Sequence, residues 1–359
     1  MDINYIDLFE EDHFGDTFKD IVSEVNNNES AFVYGVAGTG VQTLLQQISH
    51  VLKKEIKVFQ YKAILINEDP VGIISNDLLK LTNSNNLNDF IANLSEKILI
   101  TISDIQDITA IDVLFSFLET LRKSSSYKLV YILGTDHLIF RSVKKVIHSQ
   151  TPHAVHRLGM FDLKGTIRNI KINSNFFNYN IPEKLFVKIY ELSGGHSRLT
   201  KYICKVLFQS GFDKLDDIEF LANNILIEPI LNYLLELIIT FSTKELIDLG
   251  ILKEENVIFS TLLKYKLENF EIPNLNLIFN NLTSKEGKVF SYLFLNKDKI
   301  VSAEKIDFIL NLVGFEYSLW ASYKAINRLK LKIAEKFDLV NIKGKGYVLK
   351  SKVSLQHLR

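Results

Sequence analysis

Gly35, Gly38 and Gly40 stand inside Ala31–Gln46, the stretch AFVYGVAGTGVQTLLQ. Glycines at these spacings supply turn positions without a Cβ, so backbone N–H groups can converge on an anion where a helix begins. The chemistry on offer is phosphate binding, and the layout is that of a P-loop. The working pattern GxxxxGK[ST] adds a lysine for the β- and γ-phosphates and a hydroxyl for Mg²⁺. Val41 and Gln42 occupy those two positions here. The residues left to hold a phosphate are Gly35, Gly38, Thr39, Gly40, Gln42 and Thr43.

A second group of residues suits a different anion. In the segment SYKAINRLKLKI, helical spacing turns Ile326, Leu329 and Ile333 to one buried face. Tyr323, Lys324, Asn327, Arg328 and Lys330 are left on the other faces. Lys343 and Lys345 follow in a glycine-rich hairpin. Arginine and asparagine have the donor geometry for base edges, while the lysines give salt-dependent attraction to phosphates. A basic helix beside such a hairpin suits the major groove of double-stranded DNA, with the hairpin on adjacent phosphates.

Other reactive residues form weaker patterns. His148, His153 and His156 match no standard zinc spacing, and Cys204 is the single cysteine of the chain. Ser193 and His196 lie close in sequence, but no acid is placed to complete a triad. The lone Trp320 reads as a core anchor and the acidic N-terminal run as a solvated face. No catalytic residue, metal site or cofactor is expected on these grounds.

Elements must position the two groups. Ala31–Gly35 reads as a strand, followed by the glycine turn and a helix to about Leu52. Asp16–Val25 has helical spacing. Ile56–Asn67 reads as a second strand, with helical segments from Asn88 through about Lys123 after the polar stretch Thr82–Asn88. Lys128–Leu133 (KLVYIL) reads as a buried strand, and Val155–Phe161 and Ile167–Ile172 as two more. Strands alternating with helices predict a parallel α/β sheet up to about residue 175. Helices follow from Pro182, and GILKEENVIFS has a helix–turn–strand character that fits a small winged-helix-like unit. Pro273 and the asparagine-rich 279–281 mark the last boundary. The expected domains are therefore 1–178, 179–271 and 272–359.

Composition narrows the classes. Of 359 residues 47% are hydrophobic and 23% charged, the balance of a globular protein with material for more than one core. No apolar run is long enough to cross a membrane, and the acidic start lacks a signal-peptide pattern, so a cytoplasmic protein is expected. Zero net charge hides an asymmetry. Residues 281–359 hold 15 Lys+Arg against 7 Asp+Glu, leaving the preceding chain with an equal and opposite excess. A basic C-terminal part on an acidic body points to an anionic partner for the former and a protein partner or second copy for the latter.

The N-terminal region resembles AAA+ and STAND-type P-loop ATPases, including the Orc-like group. The resemblance rests on Gly35, Gly38, Gly40, Leu44 and Leu45, on KLVYIL as the Walker B strand, and on Gly194-Gly195-His196-Ser197-Arg198 as the lid motif GGxxR. It implies an α/β P-loop domain with a helical lid and Arg198 at the nucleotide. Gly134 and Thr135 follow KLVYIL where its carboxylates belong, and Asp136 lies two positions further on. With lysine, hydroxyl and carboxylates all absent, the expectation is a pseudo-ATPase, not an enzyme. Backbone amides and Arg198 leave room for weak ATP or ADP binding.

Residues 282–350 resemble the winged-helix DNA-binding domain of OmpR/PhoB-type regulators. LTSKEGKVFSYL opens it with a Thr283–Glu286 capping box. KIVSAEKI follows, then SYKAINRLKLKI as the recognition helix, and NIKGKGYVL as the wing. Together the two resemblances imply a DNA-binding regulator, of transcription above all, with an ATPase-like scaffold or sensor. The alternatives are a nucleotide-switched STAND or Orc-like ATPase assembling on DNA, and a protein-binding scaffold.

Overall fold

Ala31–Gly35 forms the strand that its composition predicts, and it lies inside a sheet rather than at its edge. The computed structural model describes residues 5–9, 13–136, 154–240, 243–254, 257–268, 282–296, 298–311, 319–334 and 337–351. The chain divides into two units, Met1–Asp217 and Ile218–Arg359.

In the first unit five parallel strands stand in the order β2-β3-β4-β1-β5. They are β1 (Ala31–Gly35), β2 (Lys57–Lys62), β3 (Ile98–Ser103), β4 (Leu129–Asp136) and β5 (Ala154–Leu158). The helices are α1 (Gly15–Asn26), α2 (Val41–Leu52), α3 (Ala63–Ile66), α4 (Pro70–Thr82), α5 (Leu87–Ala92) and α6 (Ile111–Ser124). After β5 come α7 (Leu163–Phe177), α8 (Phe186–Ser193) and α9 (Ser197–Ser210).

Side chains alternate across the sheet, as strand geometry requires. Phe32, Ile98, Ile100, Ile102, Leu129, Tyr131 and Leu133 join one core with α4 and α6. Ala31, Val33, Leu99, Val130 and Ile132 join the other with α1 and α2. Both faces are therefore covered, which is what a parallel sheet needs. A parallel sheet between helices, with a glycine turn after β1, fits the AAA+ α/β domain that the resemblance implied.

Three elements differ from expectation. Ile98–Ser103 is a strand inside the stretch read as helical. All six of its residues are buried, so it shows neither period, and a fully buried strand cannot be told from a buried helix by periodicity. Ile167–Ile172 is not a strand but part of α7. Asp162 caps that helix, accepting from the Gly165 N–H at 2.7 Å, and its buried face carries Thr166, Asn169 and Asn173 beside Ile170. Polar residues on the inner face hide the helical period. The strand read over Ile56–Asn67 stops at Lys62, where Ala63–Ile66 turns into helix.

The second unit holds α10 (Ile218–Ala222), α11 (Glu228–Thr240), α12 (Thr243–Asp248), a short hairpin of β6 (Leu252–Glu254) and β7 (Val257–Ile258), and α13 (Thr261–Glu268). Then come α14 (Ser284–Leu295), α15 (Ala303–Asn311), α16 (Leu319–Ile333) and an antiparallel hairpin of β8 (Phe337–Ile342) and β9 (Gly346–Ser351). The capping box of α14 is formed: Thr283 Oγ1 accepts from the Glu286 N–H at 3.3 Å, and Glu286 Oε2 from the Thr283 N–H at 2.8 Å. Val289, Phe290, Leu293, Ile306, Ile326, Leu329, Ile333 and Leu349 close one core. Three helices and an antiparallel hairpin close around this core.

The two-way division falls at Asp217, because α8 and α9 pack on α7 within the first unit. Pro273 and residues 279–281 lie outside the described residues. No helix among the described residues is long and apolar enough to cross a membrane.

Candidate functional site

The glycine turn takes its shape from backbone conformations that L side chains rarely adopt. Gly38 and Gly40 have φ of +96° and +112°, the region that glycine enters without steric cost. Gly40 then caps α2, its carbonyl accepting from the Leu44 N–H at 2.9 Å. The turn opens onto a cleft of about 480 Å³. Gly35, Gly38, Gly40, Gln42, Thr43 and Arg198 all line that cleft, six of the seven residues read from the sequence. Thr39 is turned away. Its side chain is buried and its hydroxyl donates to the Val36 carbonyl at 2.9 Å.

Val41 also lines the cleft, but its methyls lie against the floor. A Cβ on Gly134 would meet Val41 Cγ1 at 2.9 Å, and one on Gly35 would meet Val41 Cγ2 at 3.1 Å. The residue that replaces the phosphate lysine thus seals the joint between β1 and β4.

The lid motif is bound directly to the turn. Arg198 N–H donates to the Gly38 carbonyl at 2.9 Å. His196 is fully buried, its Nδ1 accepts from the Leu199 N–H at 3.1 Å, and its Nε2 lies 3.1 Å from the Ala37 carbonyl. Since Nδ1 accepts, the proton is on Nε2 and is donated to Ala37. Burial lowers the imidazole pKa to about 4, against the raising effect of the Ala37 bond and with a further lowering by Arg198. The ring is neutral and serves as a brace. Ser193 makes no bond to it; its hydroxyl accepts from Thr200 at 2.9 Å.

Among the described residues a carboxylate of the cleft comes from the end of an unexpected strand. The sequence expectation places Walker B on KLVYIL, which is β4, where Gly134 and Thr135 follow. β4 lies between β1 and β3 and its last residue is Asp136, while the residue that follows β3 is also an acid. Asp104 follows Ser103, lines the cleft, and sits in the left-handed region with φ +59°. Aspartate tolerates that region better than most residues, and such conformations gather at functional sites. Thr135, also lining the cleft, donates its hydroxyl to Gln106 Oε1 at 3.1 Å. The signal for Asp104 is an apolar run, ILITI, followed by Ser-Asp. Reading that run as helix hides the strand end, and the acid with it.

In the second unit Ile326, Leu329 and Ile333 are buried on α16, at 5%, 1% and 0% exposure. Tyr323, Lys324, Asn327, Arg328 and Lys330 are exposed, as are Lys343 and Lys345 in the hairpin turn. Lys332 is drawn the other way, to Glu286 Oε2 at 2.6 Å. Burial pushes the Glu286 carboxyl up, but hydrogen bonds from Lys332 and Thr283 outweigh it and leave the pKa below the ordinary value. The β8–β9 hairpin has a close approach that only glycine permits. Gly346 has φ +132°, and a Cβ there would lie 2.0 Å from the Val301 carbonyl oxygen. Tyr347 N–H donates to that same carbonyl at 2.8 Å, which adds Val301 to the hairpin.

Of the histidine cluster, His148 and His153 lie outside the described residues. His156 Nε2 lies 2.8 Å from Glu24 Oε2.

No protein-family model matches the chain, and no curated protein matches it. Among solved structures it is similar to AMPPCP-bound DnaA from Aquifex aeolicus, at 15% identity and a TM-score of 0.41 over 91% of each chain. It is similar to a mutant of Thermotoga maritima RuvB, at 12% identity and 0.42, over 97% of this chain and 96% of that one. It is also similar to Aeropyrum pernix ORC1 in complex with DNA, at 10% identity and 0.40, over 95% and 90%. The reading of the chain as a pseudo-ATPase and no enzyme is corrected here. The cleft is lined by a carboxylate, Asp104, that this reading did not count.

Proposed function

We propose that this is a nucleotide-switched P-loop protein of AAA+ type that assembles on double-stranded DNA. One observation carries the reading: a glycine turn, a carboxylate and a lid arginine, from Gly38, Asp104 and Arg198, line one cleft. Convergent backbone N–H groups and a guanidinium favour the phosphates of ATP or ADP. Asp104 and Thr43 offer the oxygen ligands that a Mg²⁺ ion accompanying those phosphates takes. The ion would offset phosphate charge there.

The DNA-binding part of the proposal is the winged helix of the second unit, with Tyr323, Lys324, Asn327, Arg328 and Lys330 in the groove and Lys343 and Lys345 on phosphates. It is supported by the sidedness of α16, which buries its apolar stripe and exposes this set. Transcriptional control is the form of DNA function that the wing's likeness to OmpR/PhoB regulators favours. The acidic body is the surface proposed for a second copy or a protein partner. The division into 1–178, 179–271 and 272–359 is kept as part of this proposal.

Arg328→Ala is expected to weaken duplex binding about tenfold and to relax sequence preference, since a bidentate base contact is worth about 1–3 kcal/mol. Lys343→Ala is expected to weaken binding to all sequences alike and to lower the salt slope by about one. Equilibrium titrations of the full chain at two salt concentrations check both. Wild-type affinity in both variants would refute this DNA face, and absence of duplex binding by the wild type would leave the protein-scaffold reading.

A further inference from the structure

Two cations project into the phosphate cleft from α9. Arg198 and Lys201 lie three residues apart on that helix and both line the cleft. Arg198 is exposed and Lys201 half-buried. Neither makes an ion pair with a carboxylate among the described residues. The Lys201 ammonium lies 4.6 Å from the centre of the Phe177 ring, which holds the side chain but brings no full negative charge. Burial lowers its pKa, and the neighbouring cations Lys205 and Arg198 lower it further.

Like charges at this helical spacing repel, and a desolvated ammonium without a counter-ion costs free energy. An anion bound between α9 and the turn removes both costs. The position is also fixed. α9 is tied to the turn by the Arg198–Gly38 and His196–Ala37 hydrogen bonds, at 2.9 and 3.1 Å, so Lys201 is carried by the element already braced against the phosphate site. Across the cleft, the residue at the usual lysine position is Val41, packed against Gly134 and Gly35.

We propose that Lys201 supplies, from the lid helix, the phosphate-facing cation that Val41 does not, and that with Arg198 it selects nucleoside triphosphate over diphosphate. This rests on the nucleotide reading above. It relocates the charge from the turn to α9, so that charge recognition depends on the lid as well as on the loop.

The test is titration of the full chain with ATP, ADP and inorganic tripolyphosphate, each with Mg²⁺. Wild type is expected to bind ATP and tripolyphosphate more tightly than ADP. Lys201→Met is expected to weaken ATP and tripolyphosphate about tenfold and ADP much less, which narrows the discrimination. Lys201→Arg keeps the charge and is expected to stay within about threefold of wild type. Lys205→Met, on the same helix but away from the cleft lining, is expected to bind as wild type. Equal melting temperatures across the set establish that the fold is intact. If the wild type binds ATP and Lys201→Met binds it equally well, the Lys201 assignment is wrong while the nucleotide reading stands. If the wild type binds none of the three ligands, both fall.

Discussion

Gly195→Ala is expected to destabilise the first unit by about 3 kcal/mol or more. The residue has φ +83°, and an added Cβ would lie 1.9 Å from the Phe161 carbonyl oxygen, 2.9 Å from its carbon and 3.1 Å from the Phe161 nitrogen. The obstacle is the backbone of Phe161, so no side-chain rotamer relieves it. Phe161 N–H also donates to the Gly195 carbonyl at 3.0 Å, and any shift that makes room breaks that bond. A left-handed conformation alone costs alanine about 1 kcal/mol. Gly15 isolates that cost, because its φ is +59° and a Cβ there meets nothing within 4 Å. Urea unfolding of Gly15→Ala and Gly195→Ala side by side measures the difference. Equal losses would show that the contact between residues 161 and 195 is not held closed. Since Gly195 precedes His196, the same substitution is expected to loosen the lid from the glycine turn and to weaken nucleotide binding.

The second large effect is acid sensitivity centred on His196. The folded-state pKa of about 4 lies below the ordinary value of 6.5, so folding holds the ring neutral. The sign follows from linkage: the contribution is fully present above about pH 6.5 and is lost as pH falls through the folded value near 4. The full span is about 3 kcal/mol, with about 2 kcal/mol gone by pH 5. Protonation is not simply accommodated, because Nδ1 would have to give up the Leu199 N–H that it accepts, and the new charge would face the Arg198 guanidinium. His196→Gln removes the titrating group while keeping a donor for the Ala37 carbonyl. Its stability is expected to vary less between pH 7 and pH 5 than that of the wild type, by about 2 kcal/mol in urea unfolding. Parallel curves for the two proteins would remove His196 from the account of acid stability.

What the sequence makes legible follows the range of the forces involved. The glycine turn, the capping box of Thr283 and Glu286, and the apolar stripe of Ile326, Leu329 and Ile333 are local, and each can be read from a few neighbouring residues. The strand Ala31–Gly35 and the strand beginning at Leu129 stand out because turn residues punctuate the chain before them. Ile98–Ser103 has no period, being buried on both faces, so the Asn93 and Ser95 before it do not by themselves mark a strand, and Asp104 is hidden with it. In α7 the buried Asn169 and Asn173 satisfy each other, with Asn173 Nδ2 donating to Asn169 Oδ1 at 2.8 Å. A face that is polar inside gives no hydrophobic signal.

The cleft itself is only half legible. The residues of the turn are visible, but its far wall depends on a contact across 159 positions, from Ala37 to His196. That contact is what places Arg198 and Lys201 at the site. Lys201 on its own reads as one more exposed lysine on an amphipathic helix. Its meaning comes from Val41 across the cleft, and no local pattern links the two.

The central claim is that nucleotide in the first unit governs DNA binding by the second. It is tested most directly by titrating the full chain with duplex DNA at two salt concentrations, with and without ATP and Mg²⁺. The expected result is binding that weakens steeply with salt and changes at least severalfold when ATP is present, with the DNA changing ATP affinity by the same factor, as linkage requires. Salt-dependent binding that is identical with and without ATP would contradict the switch and leave a DNA-binding protein indifferent to its own phosphate cleft.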